Sequence, residues 1–107
     1  MEKSGQIYTL GIWSVKPGNE VAFIEAWKTF AEWTVRHQPG AIGAFLLQDI
    51  TNPQRLISSG PWKDAESIQA WRGMPEFKEF ITRARDLCED IQPYTLKLVA
   101  EVAASKQ

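Results

Sequence analysis

Cysteine and charge imbalance are both scarce in this 107-residue chain, and each scarcity excludes a class of protein. A single cysteine, Cys88, permits no internal disulfide and no multi-cysteine zinc site. Twelve basic residues against thirteen acidic leave a net charge of -1, which argues against a nucleic-acid binder working through a basic face. No apolar run approaches the roughly 20 residues that a membrane-spanning helix needs. The opening residues Met1-Glu2-Lys3-Ser4-Gly5 run straight into a strand-like segment without a signal-peptide core. Expected is one soluble, cytoplasmic domain over residues 1–107, core about 6–102, binding neither nucleic acid nor membrane.

Large aromatics are what the sequence has in excess. Five tryptophans (Trp13, Trp27, Trp33, Trp62, Trp71) stand beside five phenylalanines and two tyrosines. In a small domain such a stock serves an aromatic-lined cavity, a large interface or a bulky core.

Periodicity and turn chemistry order the elements. Ile7 to Val15 alternates as a strand with apolar groups on both faces; Gly11 leaves a gap, the mark of a close ligand or a bulky neighbour. Lys16-Pro17-Gly18-Asn19 is a turn whose asparagine suits a helix cap. Glu20 to about Arg36 carries an amphipathic helical stripe, stopped before Pro39-Gly40. Ala41 to Ile50 and Arg55 to Trp62 read as a hairpin around Thr51-Asn52-Pro53. Asp64 caps a short helix through Arg72, and Pro75 opens another whose apolar stripe runs from Phe77 to Ile91, with Pro93 closing it. Tyr94 to Val102 alternates as the last strand, followed by a polar tail. Strand, helix, strand, strand, helices, strand is the α+β, ferredoxin-like split βαβ order, a four-stranded antiparallel sheet with helices on one face. Strands apolar on both sides then need a second cover, and a second copy is the simplest, so a homodimer joined sheet to sheet is expected.

Several pieces together resemble the antibiotic biosynthesis monooxygenase family. They are Lys16-Pro17-Gly18, Gln38-Pro39-Gly40, Trp62 at a strand end, and Glu66-Ser67 through Ala70-Trp71-Arg72 to Pro75-Glu76-Phe77. The resemblance spans about Tyr8 to Val102 and implies a dimeric α+β barrel. It also implies a function among cofactor-independent monooxygenases of quinols and anthrones, haem-degrading oxygenases, or members of no established activity. The haem-degrading branch is disfavoured, because Ile81 and Gly11 stand where its histidine and asparagine are expected.

The resemblance therefore favours oxidation of a small quinol- or anthrone-like aromatic by dioxygen, with no cofactor and no metal. The alternative is a non-catalytic dimeric barrel that binds a small ligand or a protein partner. Trp71 matches the family's helix tryptophan and is the first candidate for a substrate-binding wall, with helix-to-sheet packing as its other role. Trp62 and Trp13 are further wall candidates that core packing would also explain. Arg72 has the charge to hold a phenolate, or to be a solvated helix arginine. His37, the one histidine, and Asp49, close to a turn, are candidate bases, with helix-end and turn-supporting roles as the alternatives. Cys88 falls on the buried stripe, as a core thiol rather than a nucleophile.

Overall fold

The computed structural model describes residues 5–105. Its elements run β1 (Ile7–Val15), α1 (Glu20–His37), β2 (Phe45–Gln48), β3 (Arg55–Trp62), α2 (Ala65–Arg72), α3 (Pro75–Leu87) and β4 (Cys88–Lys97). The four strands form one antiparallel sheet in the order β2-β3-β1-β4. This is the α+β, ferredoxin-like arrangement expected from the element order.

Strand alternation divides β1 between two faces. Trp13 and Val15 point inward and join Phe23 of α1, Leu56 of β3, Phe80 and Ala84 of α3, and Cys88 in one buried cluster. Tyr8, Leu10 and Ile12 point to the opposite face, in register with Ile57 on β3 and with Tyr94 and Leu96 on β4. Phe45 and Leu47 of β2 share that outer face and are 47% and 57% exposed, so its apolar surface has no cover among the described residues. The helices begin where the sequence placed them. The Asp64 carboxylate accepts the Ser67 amide at 2.8 Å to cap α2, and Pro75 occupies the first turn of α3. Gly18 supplies the positive φ of 89° that its turn requires. Asn19 occupies the N-cap of α1 without a side-chain bond, and Glu20 instead accepts the Gly18 amide at 3.0 Å.

Three boundaries differ from the sequence reading, each for a local reason. The helix expected to reach Ile91 ends at Leu87, and β4 begins at once. Val15 pairs with Cys88 and Ser14 with Asp90, so Glu89 is an extra residue in the ladder. That bulge turns Cys88 and Ile91, three apart, to the same inner face, which is also what a helix would do. Pro93 sits within β4, where an edge strand tolerates the missing N–H. At its other end β4 stops at Lys97 rather than Val102; beyond it Leu98 bonds only to Gly5 and Gln6, the two residues before β1, among the described residues. The second strand is short, Phe45–Gln48 rather than Ala41–Ile50. Ala41 bridges Trp62, but the backbone of Gly43 then lies so close to β3 that no Cβ fits at Gly60.

Phe23 is fully buried at the centre of the cluster, with its ring 5.0 Å from that of Trp13. Phe23→Ala is expected to lower unfolding free energy by about 3–5 kcal/mol. Val21→Ala on the same helix, at a side chain 74% exposed, should change it by less than about 0.5 kcal/mol. Paired denaturant titrations measure both.

Candidate functional site

The inner sheet face is read row by row, because residues opposed in the ladder share a side. Trp62, Ile7 and Lys97 form one row; Gly60, Thr9 and Thr95 the next; then Ser58, Gly11 and Pro93; then Leu56, Trp13 and Ile91. The two middle rows, about 7 Å apart, carry only small side chains. A strip of sheet between Trp62 and Trp13 therefore lacks the volume to meet the helices. The result is a cavity of about 550 Å³, floored by Thr9, Gly11 and Ser58 and walled by the α1, α2 and α3 aromatics.

Two tryptophan hydrogen bonds hold this shape. The Trp13 indole N–H donates to Ser58 Oγ at 2.9 Å, which lays the ring across the backbone of Gly11. A Cβ at Gly11 would stand 2.8 Å from Ser58 Oγ and 2.9 Å from Trp13 Nε1, so the glycine makes room for the bulky neighbour. On the helix side, the Trp71 indole N–H donates to the hydroxyl of Thr34 at 3.0 Å, and Thr34 is 4% exposed. Trp71 also stacks on Phe30 at 5.6 Å, tilts against Trp62 at 4.9 Å and meets Phe77 edge-on at 4.7 Å. Phe30 in turn stacks on Phe80 at 4.5 Å. Both indole donors are thus engaged within the protein, and their rings serve the cavity as flat apolar walls.

Charge enters the wall through Arg72. Its guanidinium donates to Thr95 Oγ1 at 2.9 Å and to the carbonyl of Tyr94 at 3.2 Å, reaching from α2 to β4. No carboxylate pairs with it; the ion pair found among the described residues joins Arg55 to Asp49. Partial burial pushes the Arg72 pKa below its ordinary value, yet an arginine remains charged at neutral pH. Arg85, Glu89 and Asp90 also border the cavity, but all three are exposed.

The structure brings Trp71, Arg72, Trp62 and Trp13 together around one cavity. His37 and Asp49 do not line it. His37 ends α1, its ring stacked on Trp33 at 5.4 Å and its Nδ1 3.0 Å from the Trp33 carbonyl oxygen. The Asp49 carboxylate accepts the amide and hydroxyl of Thr51, at 2.9 and 2.8 Å. The amide bond leads in holding its pKa below the ordinary carboxylate value, which makes it a weaker base. Burial pushes the Cys88 thiol up to about 11, keeping it neutral. Ile81 lies in the cavity wall, at the position where the haem-degrading branch would need its ligand. Phe30, Phe77 and Phe80, which fall on the helical stripes of the sequence, also line the cavity, as do Thr34 and Ser58, which the sequence reading does not single out. The available signal was Thr34 itself, a hydroxyl seven residues after Trp27 on the same helical stripe.

Fold and cavity together define a ferredoxin-like α+β domain with an aromatic-lined cavity beneath its helices. The chain belongs to the antibiotic biosynthesis monooxygenase family, whose model matches residues 7–83. No curated protein sequence matches it. Solved structures do, and show the same fold. A conserved protein from Methanosarcina mazei superposes with a TM-score of 0.81 at 22% identity, covering 90% of this chain and 95% of its own. A variant of SnoaB, a cofactor-independent oxygenase from Streptomyces nogalater, gives 0.80 at 16% identity over 96% of this chain and 100% of its own. A Nitrosomonas europaea protein assigned to the antibiotic biosynthesis monooxygenases gives 0.79 at 19% identity, covering 91% and 93%.

The Trp71–Thr34 bond gives the site a measurable coupling. Trp71→Phe leaves the buried Thr34 hydroxyl without its donor and should cost about 1–3 kcal/mol beyond the lost ring area. Thr34→Val in the same chain should recover part of that loss. Urea unfolding of the two single variants and the double variant measures it; strictly additive losses would show that the bond carries no energy.

Proposed function

We propose that the protein is a cofactor-independent monooxygenase that oxidises a small quinol- or anthrone-like aromatic with dioxygen. The observation that carries this reading is a cavity of about 550 Å³ whose walls are flat aromatic rings and which holds one partly buried cation, Arg72, that pairs with no carboxylate among the described residues. Family membership and the fold shared with SnoaB support it. The ring of the substrate lies against Trp71 and Trp62, with Trp13 closing the far end of the floor. Arg72 faces the oxygen that bears the negative charge.

The chemistry asks little of the protein. An anthrone ionised at its methylene group gives one electron to dioxygen, and recombination of the two radicals forms a carbon–oxygen bond. The resulting peroxide anion takes up a proton, and the hydroperoxide so formed loses water as its O–O and C–H bonds break, leaving a carbonyl. One anthrone and one dioxygen thus yield one quinone and one water, and the substrate supplies every electron. The protein contributes a dry chamber, ring orientation and a cation that stabilises the ionised substrate. The proton leaves to solvent at the exposed border of the chamber.

A homodimer completes this reading. The outer sheet face exposes Phe45, Leu47, Tyr94 and Leu96 together, and a second copy packed sheet to sheet would cover them. A second reading, a non-catalytic barrel that binds a small ligand, draws support from the position of His37 and Asp49 away from the cavity.

Sedimentation at micromolar concentration should give twice the mass of the 12.1 kDa chain, and a stable monomer would remove the barrel. Oxygen uptake separates the two functional readings. Metal- and flavin-stripped protein should accelerate uptake with at least one quinol or anthrone. Trp71→Ala should reduce that rate at least about tenfold, a barrier change of about 1.4 kcal/mol. His37→Gln and Asp49→Asn should leave it within about twofold. Binding without oxygen consumption across the whole panel would favour the non-catalytic barrel.

A further inference from the structure

Four hydroxyls border the cavity: Thr9, Thr34, Ser58 and Ser59. Two of them donate to backbone carbonyls, Ser59 to that of Thr9 at 2.8 Å and Thr9 to that of Gly60 at 3.5 Å. Thr34 and Ser58 do the reverse. Each accepts an indole N–H, from Trp71 at 3.0 Å and from Trp13 at 2.9 Å, and neither donates to an acceptor among the described residues. A helical threonine commonly returns its proton to the carbonyl four residues earlier, as Thr82 does to that of Lys78 at 2.9 Å. Thr34 makes no such bond, although it is 4% exposed. A donor so deeply buried is costly to leave unmatched, and accepting the indole proton makes the hydroxyl a stronger donor. The two hydroxyls also stand toward opposite ends of the strip. Ser58 lies in the Gly11 row, next to that of Trp13. Phe23 packs against Trp13, and Thr34 follows it along α1 by about 16 Å, where its partner Trp71 tilts on Trp62.

We propose that Thr34 and Ser58 set the position of the bound molecule along the strip, each donating its hydroxyl proton to a neutral oxygen, one toward Trp62 and one toward Trp13. The inference rests on the aromatic-substrate reading of the same cavity and adds to it the two contacts that fix the register of the ring. Stacking alone lets a flat molecule slide between the two tryptophans. Two donors held on opposite walls stop that sliding, and a ring that lacks either oxygen leaves a donor unmatched. The tryptophans therefore act twice. Their rings are walls, and the N–H groups of Trp71 and Trp13 hold each hydroxyl as an acceptor on one side, which turns its proton away from the indole.

Equilibrium dialysis tests this with two compounds of one carbon skeleton, 2,3-dimethyl-1,4-naphthoquinone and 2,3-dimethylnaphthalene, which differ in two carbonyl oxygens. Thr34→Val and Ser58→Ala should each weaken quinone binding roughly 3- to 10-fold and leave naphthalene binding within about twofold. Thr34→Ser keeps the hydroxyl and should bind the quinone as the wild type does. Quinone affinity unchanged in either variant would make that hydroxyl a bystander and overturn the proposal. Equal losses for quinone and naphthalene would overturn it too, by making the hydroxyls mere supports of the tryptophan walls, as would no quinone binding at all. A measurement on the wild type stands if the variants fail to fold. The carbonyl stretching bands of the bound quinone should lie at lower wavenumber than in a hydrocarbon solvent, and unshifted bands would contradict the proposal. The parent reading fails differently, because this pair consumes no dioxygen. Hydroxyl-dependent quinone binding with no oxygen uptake from any quinol or anthrone would leave Thr34 and Ser58 as binding donors in a non-catalytic protein.

Discussion

At Gly11 the sheet gives up a side chain, and the indole of Trp13 lies across the vacancy to donate to Ser58. The rest of the site depends on that contact. A side chain on β1 at this point would collide with the indole and fill the floor of the chamber. With glycine there, Trp13 becomes a wall at one end and the strip toward Trp62 stays low. The opposed residues Ser58 and Pro93 continue the low row on both neighbouring strands, so the empty volume extends across the sheet.

The helices convert this missing volume into a chamber without filling it. Phe30 stacks on both Trp71 and Phe80, and it holds α1, α2 and α3 apart at the height of an aromatic ring. Thr34 takes the one polar atom of Trp71 and leaves its ring apolar on the open side. A cavity of this size forfeits contacts that a filled core would make, and the ligand of the proposed function would restore them. The polar equipment is sparse and one-sided. A single partly buried guanidinium, tethered through neutral acceptors, biases the chamber toward negative charge, and the exposed Arg85, Glu89 and Asp90 remain at its border.

Much of this was legible in the sequence, and the gaps have physical causes. Helix starts at Asp64 and Pro75 follow from local chemistry that tertiary packing did not override. The end of α3 was misread because a bulge at Glu89 gives Cys88 and Ile91 a shared face at helical spacing. The sequence shows three residues of separation, while the ladder that makes the bulge belongs to β1, more than 70 residues earlier. Gathering Trp13, Trp62, Trp71 and Arg72 around one chamber required cross-strand register, which residue types alone do not carry. Thr34 and Ser58 escaped notice for the same reason: each is meaningful only opposite its tryptophan. The polar positions of His37 and Asp49 drew attention as possible bases, yet their bonds are local, to Trp33 and Thr51.

The proposed function makes the small-residue strip between Trp13 and Trp62 the seat of a planar aromatic molecule. A crystal structure of the protein soaked anaerobically with an oxidation-resistant anthrone analogue tests it most directly. Ring density is expected over Thr9, Gly11 and Ser58, in van der Waals contact with Trp71, with an oxygen of the ligand within hydrogen-bonding distance of Arg72. Well-ordered ligand lying elsewhere, with Trp71 or Phe30 rotated to fill the chamber, would contradict it.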